Sequence, residues 1–484
     1  MARTVTDEEY IRWLSDTTEL RVILGEFEAY DQGTVVTHRV GTEFFTTDPS
    51  DSVPNVIYTG SLVGTPTFTS RATENYGGST FISFGNVTID NTGGVIDHWI
   101  NQSFAGRPAV LRIGDPEWNI DDFRVIFDGV ADRVDIPDDG SLDIYIKDKQ
   151  RLLDAPIQTN RMNETNDSAG DLIPLCYGEC YNITPTPDAE NPRRFAIHDG
   201  SIEAVDSVYV NGVKTTAYSA SLSDGYITMN SEPDGTVTCD VRGDNSEGYA
   251  DTIPVIANRM VKRVVDANAT YSRLPRTWLD AKAGLYINSR TNLLDALDSL
   301  GTAFRYGFDR LGNFSFAPLE EPSNPVAVID GLETYGDLGV IKGDVPICKA
   351  TVGYKRNYTV QPSIDDGASS EHRAFASKDY TMFAVSEDES IKEEFIIAQE
   401  PDAVGSVFVN ESDAITESQR LLSLFSKQRY FATISAYSRP LTLSIGDTIT
   451  LIDGRFGLGD GADFVVMGIT EHLIDSKVDL ELWR

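Results

Sequence analysis

From Leu20 onward, the chain consists mainly of short runs in which apolar and polar residues alternate. Alternation with a period of two predicts β-strands that bury one face and expose the other. Turn sequences such as Asn91-Thr92-Gly93-Gly94 and Asp138-Asp139-Gly140 separate the runs, which is typical of an antiparallel sandwich or barrel. We therefore predict an N-terminal β-domain over residues 20–158, with strands at residues 21–30, 34–39, 81–89, 109–113, 123–136 and 142–147.

A helical arm is predicted before that domain, over residues 1–19. Thr6 can cap a helix, and the three acidic residues that follow it suit a helix N-terminus. Ile11 and Leu14 are spaced for one face of this helix.

A smaller β-module is predicted over residues 159–251. Residues 159–170 are polar and indicate a linker, and strands are predicted at residues 194–198, 205–210, 226–229 and 235–242. Asn211-Gly212 predicts a hairpin turn between alternating residues. Because polar segments bound the module and it can close its own sheet, we expect a peripheral insertion.

An α+β domain is predicted over residues 252–345. Apolar residues recur at the helical period between residues 252 and 266, which indicates a helix. A second helix is predicted from a cap at Ser289, through four leucines between residues 293 and 300, to Gly301. Two alternating runs at residues 304–308 and 313–318 then predict a β-hairpin.

The last third is predicted to be a C-terminal β-domain with one helix, over residues 346–484. The helix is expected at residues 411–427, with Ile415, Leu421, Leu422 and Phe425 on its buried side. Strands are predicted at residues 349–355, 430–437, 448–452, 464–472 and 477–483. The fold class is therefore mainly β with α+β parts, built from antiparallel β-barrels or sandwiches and a few short helices.

Length and composition narrow the class of protein. A chain of 484 residues, 40% of them hydrophobic, suits roughly three or four domains. It has no run of the about 18 apolar residues that a membrane helix needs. Residues 1–13 are charged and lack the apolar core of a signal peptide, so we expect folding in a cytoplasm.

The charge balance limits the possible partners. The formal net charge of −35 comes from 75 acidic and 40 basic residues, and such a chain repels phosphate backbones. Sequence-specific nucleic-acid binding is therefore not expected. The same charge suits either a channel wall that DNA passes without sticking or an acidic surface that keeps the protein soluble.

The cysteines offer one candidate metal site. Cys176 and Cys180 are separated by three residues, and His198 is the nearest further ligand. Zinc sites usually show two compact ligand pairs, so a reduced, partly buried thiol pair is favoured over a metal site.

A glycine-rich loop near the C-terminus offers two further possibilities. Gly457-x-Gly459-x-Gly461 is similar to a nucleotide loop, but a predicted strand follows it where a phosphate site needs a helix N-terminus. Asp453, Asp460 and Asp463 lie in the same loop without the spacing of a calcium-binding EF-hand, so solvated turn residues are favoured over calcium ligands.

No catalytic motif is visible. The five histidines, His38, His98, His198, His372 and His472, are scattered, and neither Gly-x-Ser-x-Gly nor His-Glu-x-x-His occurs. A carboxylate pair for glycoside cleavage stays open, because its spacing depends on the fold. Trp99 and Trp118 can stack on sugars in a receptor-binding protein, but core or interface packing is their more frequent role.

Three groups of motifs resemble sequences of bacteriophage tail proteins. One begins with Ile173-Pro174-Leu175-Cys176-Tyr177-Gly178-Glu179 and continues with Asn182-Ile183, His198-Asp199-Gly200 and Val208-Tyr209-Val210-Asn211-Gly212-Val213. Another comprises Phe123-Arg124-Val125-Ile126-Phe127-Asp128-Gly129-Val130, Lys147-Asp148-Lys149 and Leu152-Leu153-Asp154. The last comprises Ser444-Ile445-Gly446-Asp447-Thr448-Ile449, Arg455-Phe456-Gly457-Leu458 and Leu480-Glu481-Leu482-Trp483. They are mainly turn and core residues, so they carry the fold, and function follows by analogy.

The resemblance to the siphophage-like tail hub and baseplate family implies a non-enzymatic ring subunit at the distal end of a tail. Such a subunit surrounds the DNA channel and links the tail tube to tip proteins or fibres. Family hubs are often trimers with duplicated tube-like domains and pseudo-sixfold symmetry, so a homo-oligomer is implied, with a trimer favoured over a hexamer. The implied location is the virion tail, assembled in the bacterial cytoplasm, with distal tail, tube, tip or fibre proteins as partners. No catalytic, cofactor-binding or metal-binding residue is implied.

Two other functions stay open beside this one. The first alternative is a carbohydrate-binding adhesin at the tail tip, and the second is a cell-wall hydrolase. The sequence shows neither the fibrous repeats that adhesins tend to carry nor an assembled catalytic motif.

Overall fold

The computed structural model describes residues 5–16, 18–65, 67–72, 78–79, 81–137, 139–162, 170–265, 276–437, 442–472 and 477–484. Within these ranges strands far outnumber helices, and most neighbouring strands run antiparallel. The prediction of a mainly β, multidomain fold with a few short helices is confirmed. None of the helices in these ranges is long and apolar enough to cross a membrane.

Helix α1 (Asp7–Ser15) forms the predicted arm. The Thr6 hydroxyl accepts a hydrogen bond from the amide of Glu9 at 3.2 Å, and the Glu9 carboxylate accepts one from the amide of Thr6 at 3.1 Å. This reciprocal pair is a capping box, so the predicted cap is confirmed. The predicted buried face is partly wrong, because Ile11 is 50% exposed while Trp13 packs into the core of the N-terminal sheet.

The strands of the N-terminal part agree with most of the predicted alternation. They are β1 (Val22–Asp31), β2 (Thr34–Gly41), β3 (Phe45–Thr46), β4 (Ile57–Tyr58), β5 (Leu62–Gly64), β6 (Phe68–Arg71), β7 (Gly78–Ser79), β8 (Phe81–Phe84), β9 (Asn86–Asp90), β10 (Pro108–Gly114), β11 (Arg124–Asp135) and β12 (Ser141–Lys147), with 3-10 turns at Asp97–Asn101, Ile120–Asp122 and Lys149–Asp154. Seven of these strands form one sheet in the order β2-β1-β10-β11-β12-β9-β5. Phe27, Leu111, Phe127 and Ile144 lie in its core.

The small module contains two sheets. Its strands are β13 (Leu175–Ile183), β14 (Thr186–Asp188), β15 (Asn191–Ala196), β16 (Ile202–Val210), β17 (Val213–Thr215), β18 (Tyr218–Ser221), β19 (Tyr226–Met229) and β20 (Val237–Asp244). Asn211 and Gly212 have φ values of 49° and 81°, so they form the predicted tight turn between β16 and β17. Strand β13 escaped prediction because it is buried on nearly every residue and therefore lacks alternation.

A strand from outside the predicted boundaries completes one of these sheets. Strand β21 (Gly284–Ile287) pairs with β13 from Leu175↔Ile287 to Gly178↔Gly284. Gly178 has a φ of 64°, and a Cβ built there would lie 1.8 Å from the carbonyl oxygen of Ala283, so the close approach requires glycine. A chain that lacks residues 160–251 would leave β21 without this partner. The domain division stays a prediction. Strand β21 links the small module to the segment that follows it in the chain.

The α+β segment contains the two predicted helices and the predicted hairpin. They are α2 (Ile253–Val264), α3 (Leu293–Asp298), β22 (Phe304–Phe308) and β23 (Phe314–Pro318), with a 3-10 turn at Arg276–Trp278. Thr252 is the N-cap of α2, and Asp266 lies outside the described residues. The predicted cap at Ser289 is wrong, because α3 begins after Asn292. A β-bridge to Pro156 holds Asn292 extended, so the helix starts only beyond it.

The C-terminal part contains a curved sheet and a smaller three-stranded sheet. The curved sheet has the order β24-β30-β31-β32-β29-β25, and the smaller one has the order β27-β26-β28. The elements are β24 (Ala327–Ile329), β25 (Thr334–Lys342), β26 (Lys349–Tyr354), α4 (Ser370–Ala376), β27 (Met382–Glu387), α5 (Ile391–Glu394), β28 (Val404–Gly405), α6 (Glu411–Phe425), β29 (Tyr430–Tyr437), β30 (Thr448–Leu451), β31 (Ala462–His472) and β32 (Lys477–Trp483). Helix α6 buries Leu421 as predicted, but Ile415 is 38% exposed, because the smaller Ala414 and Ser418 face the core instead.

Strand β6 joins the N-terminal and C-terminal halves. It pairs antiparallel with β31, from Phe68↔Glu471 to Arg71↔Gly468, and β8 pairs with β6 on its other side. The predicted single strand at residues 81–89 is therefore wrong: β8 belongs to the C-terminal sheet, while β9 pairs with β12 in the N-terminal sheet. Each of these two strands pairs with a strand that is distant in the sequence, and local alternation does not encode such pairing.

A buried ion pair fixes helix α6 against the β22–β23 hairpin. Glu417 and Arg420 are in contact at 2.8 Å, with side chains 4% and 12% exposed. Glu417 also accepts a hydrogen bond from the indole N–H of Trp278 at 2.8 Å. Arg420 donates to the carbonyls of Thr302 and Leu319 at 2.9 and 3.2 Å. Trp278 lies in the 3-10 turn, and Thr302 and Leu319 flank the β22–β23 hairpin. The pair therefore links α6 to both the turn and the hairpin.

We predict that Glu417→Gln lowers the free energy of unfolding by about 3–5 kcal/mol, because it leaves the buried guanidinium of Arg420 without its counter-charge. Urea unfolding followed by tryptophan fluorescence measures the loss. Glu411→Gln, at the exposed start of the same helix, is the matched control and should change stability by much less. Equal losses in the two variants would contradict the role given to the pair.

Candidate functional site

The cysteines of the candidate metal site lie in the core of the small module. Cys176 and Cys180 are fully buried free thiols, more buried than the sequence predicted. The Nδ1 atom of His198 accepts the backbone amide of Cys176 at 3.0 Å. Burial raises the pKa of the Cys176 thiol well above its ordinary value, whereas zinc binds the thiolate. Cys176, Cys180 and His198 therefore have the burial and the contacts of packed core residues.

His198 instead begins a buried polar chain. Its Nε2 lies 3.6 Å from Asp244, whose other carboxylate oxygen lies 3.6 Å from Nε of Arg259. Burial by itself raises the pKa of Asp244, but the interactions with His198 and Ser246 outweigh it and leave the pKa below its ordinary value. The ionised Asp244 therefore links β20 to α2.

One cluster of metal-ligand type was missed by the sequence analysis. Among the described residues, Cys348, Glu389 and Glu400 bring their ligand atoms within 4.8 Å of one another. The ammonium of Lys392 contacts both glutamates, at 3.1 Å from Glu389. Hydrogen bonds to Glu400 and Glu389 raise the pKa of Lys392, so a cation of the chain itself already bridges the two carboxylates.

A Ser, a His and an Asp also come together, but in the wrong order for nucleophilic catalysis. Asp479 accepts a short hydrogen bond from the Ser435 hydroxyl, and His472 Nε2 lies 3.0 Å from its other oxygen. In a catalytic triad the histidine lies between the nucleophile and the carboxylate. Here the carboxylate lies between them, so the histidine does not activate the hydroxyl.

The glycine-rich loop forms a bend and then a strand. Phe456 and Gly457 have φ values of 54° and 73°, and β31 follows directly, so the predicted strand is confirmed. Asp453 accepts the backbone amide of Arg455 at 2.7 Å, while Asp463 accepts the hydroxyl of Thr450 at 2.6 Å. The two carboxylates are therefore each used by a local contact.

The tryptophans considered for sugar stacking are used in packing. Trp99 is 7% exposed, with its ring 3.8 Å from that of His38. Trp118 is half-buried, and its ring centroid lies 4.7 Å from that of Trp13.

A cleft at α1 concentrates negative charge. Its volume is about 800 Å³, and among the described residues seven carboxylates and one guanidinium line it together with Trp13 and Trp118. The charged residues are Glu9, Arg12, Asp16, Glu19, Asp48, Asp115, Glu117 and Asp122. We call this surface the acidic cleft.

A second cleft concentrates positive charge, which is unusual in so acidic a chain. Its volume is about 990 Å³, and it lies where β25 and β32 end and β29 and β31 begin. Four cations, Lys342, Lys427, Arg429 and Arg484, line it beside two carboxylates, Glu321 and Asp463. We call this surface the basic cleft. Neither cleft could be predicted from the sequence. The lining residues come from distant segments, and no run of like charges in the sequence indicates them.

We predict that Asp244→Asn lowers the free energy of unfolding near neutral pH by about 1–3 kcal/mol, since a buried charged partner is lost. The pKa of Asp244 is lowered in the folded state, so its contribution is present above the ordinary Asp pKa of about 3.9 and is lost as the pH falls through the folded-state pKa. Urea titrations from neutral to acidic pH should show the gap between wild type and variant closing. The exposed Asp234 provides the control Asp234→Asn, and a gap independent of pH would contradict the assignment.

Comparison with known proteins finds resemblance at the level of structure. No protein-family model and no curated protein sequence matches the chain. The tail protein from Neisseria meningitidis is similar with a TM-score of 0.43 and 9% identity, covering 96% of each chain. The 43 kDa tail protein of prophage MuSo2 from Shewanella oneidensis has a TM-score of 0.43 and 10% identity, over 96% of this chain and 98% of that one. Prophage tail protein gp18 from Listeria monocytogenes has a TM-score of 0.44 and 10% identity, over 96% and 94%. The chain is similar to phage tail proteins over nearly its full length.

Proposed function

We propose that this chain is a non-enzymatic structural subunit of a bacteriophage tail, located in the distal hub or baseplate of the virion. The observation that carries the proposal is that the tail-protein motifs occupy positions where the backbone has special demands. Gly178, Gly446, Phe456 and Gly457 all have positive φ values, of 64°, 90°, 54° and 73°. Such positions are set by the fold. The motif residues therefore meet backbone requirements of this fold.

The arrangement of polar groups supports a structural role. Within the described ranges, the cysteine pair lies in a core, the Ser435, His472 and Asp479 group has the wrong order, and Lys392 bridges the two carboxylates of the Cys348 cluster. Each polar group that resembles a reactive site is satisfied by a neighbour of the same chain. The surface therefore carries the function, through contacts with other proteins.

A ring of identical copies is the assembly that the resemblance implies. Closed rings require heterologous interfaces, in which two different surfaces of the subunit meet. The ring would surround the DNA channel and contact tube proteins on one side and tip or fibre proteins on the other. A trimer is favoured over a hexamer, because hub subunits of the family duplicate their tube-like domain.

We expect particle imaging of virions to place this chain in a ring of three copies at the distal end of the tail. Native mass spectrometry of the isolated hub should give the same copy number. A single copy in the virion would rule out the ring, and a position along a fibre would favour the adhesin alternative.

We also expect the lumen of the ring to present acidic or neutral side chains to the DNA. Attraction to phosphates would create a bound state that slows ejection, whereas repulsion keeps the duplex mobile. The net charge of −35 motivates this expectation. A charge map of the assembled ring measures it, and a lumen lined mainly by Arg and Lys would contradict it even if the ring were found.

A further inference from the structure

The basic cleft holds two exposed cations, Lys342 and Arg484. Lys342 and Arg484 have no carboxylate partner within 4.0 Å among the described residues, and they lie over the rings of Tyr430 and Phe464. Arg429, in contrast, is paired with Glu321. Two exposed cations on aromatic rings form a surface suited to an anionic partner.

Apolar groups beside these cations favour a protein partner over a phosphate backbone. Phe456, which lines the cleft, is 53% exposed, and Val340 and Leu458 line it too. Protein interfaces combine aromatic residues with arginine, whereas a phosphate backbone gains little from an apolar surface.

The acidic cleft has the complementary charge. Glu19 and Glu117 are exposed carboxylates on its rim, and Trp13 and Trp118 supply its aromatic floor.

One molecule does not bring its own two clefts together. The basic cleft includes Asp463 at the start of β31, and Glu471 near the end of that strand contacts Arg310 at 3.5 Å. Arg310 is in turn close enough to Tyr10 of α1 for an electrostatic interaction. Eight residues of extended strand span about 26 Å, so the clefts lie near opposite ends of β31.

We propose that the basic cleft of each copy receives the acidic cleft of the next copy of this chain. The contact rests on the proposed ring and names the two surfaces that form it. It joins two different surfaces, as a closed ring requires. It also covers Lys342 and Arg484, which removes exposed cations from the assembled surface.

Charge reversal in the full-length chain tests the contact. The double variant Lys342→Glu with Arg484→Glu should weaken self-association about tenfold or more, because like charges then face each other. Glu19→Lys with Glu117→Lys should do the same from the other side. All four substitutions in one chain should restore association. Sedimentation velocity gives the dissociation constants, and raising the ionic strength should weaken the wild-type association.

Matched controls separate the contact from general charge effects. Lys378→Glu with Arg290→Glu, and separately Glu232→Lys with Asp234→Lys, make the same changes of net charge at exposed sites outside both clefts and should leave association unchanged. Circular dichroism and thermal unfolding establish that each variant is folded, and Lys342→Gln with Arg484→Gln gives a milder version of the first change.

Four results would overturn the contact. One is an unchanged dissociation constant in both reversed variants, and another is a fourfold variant that does not recover. The third is tight binding of a labelled DNA duplex, measured by fluorescence anisotropy, that the Lys342 and Arg484 reversals abolish. A wild-type chain that stays monomeric at low salt and high concentration also overturns it. A tail ring that assembles from the reversed variants leaves the proposed function standing, whereas a monomer in the virion removes the function itself.

Discussion

The buried pair of Glu417 and Arg420 is the constraint on which the C-terminal half depends. Its two side chains are only 4% and 12% exposed, so water solvates the charges poorly and each needs hydrogen bonds within the protein. The indole of Trp278 and the carbonyls of Thr302 and Leu319 supply them. A shift of α6, the hairpin or the turn would leave one of these polar groups without its partner, at a cost in free energy.

Apolar packing around Trp278 stabilises the same arrangement of α6, the hairpin and the turn. Trp278 is fully buried and its ring lies 4.9 Å from that of Phe304. A Cβ on Gly301 would lie 2.4 Å from the same indole, so the bend before the hairpin needs a residue without a side chain. The polar and apolar contacts of Trp278 thus hold together the same three elements, α6, the hairpin and the turn.

Strand β6 joins the N-terminal and C-terminal sheets. It pairs with β31, β8 pairs with β6, and the chain returns to the N-terminal sheet through β9. Arg71 also contacts Glu481 at 2.7 Å across this junction. Backbone hydrogen bonds and an ion pair therefore connect the two parts of the chain.

Sequence alone determined the local structure wherever one face of an element is buried and the other solvated. It predicted the cap at Thr6, the turn at Asn211-Gly212, the β22–β23 hairpin and the strands at residues 430–437 and 477–483, because period, capping and turn chemistry act over a few residues. It did not find β13, which is buried on both sides, or the division of residues 81–89 between two sheets. The burial of the Glu417–Arg420 pair, the Cys348 cluster and both charged clefts were also decided by tertiary structure. Glu417 and Arg420 are three residues apart on α6, but their contacts with Trp278, Thr302 and Leu319 depend on distant segments. The cluster and the clefts likewise combine segments that are far apart in the chain, and only the folded backbone brings them together.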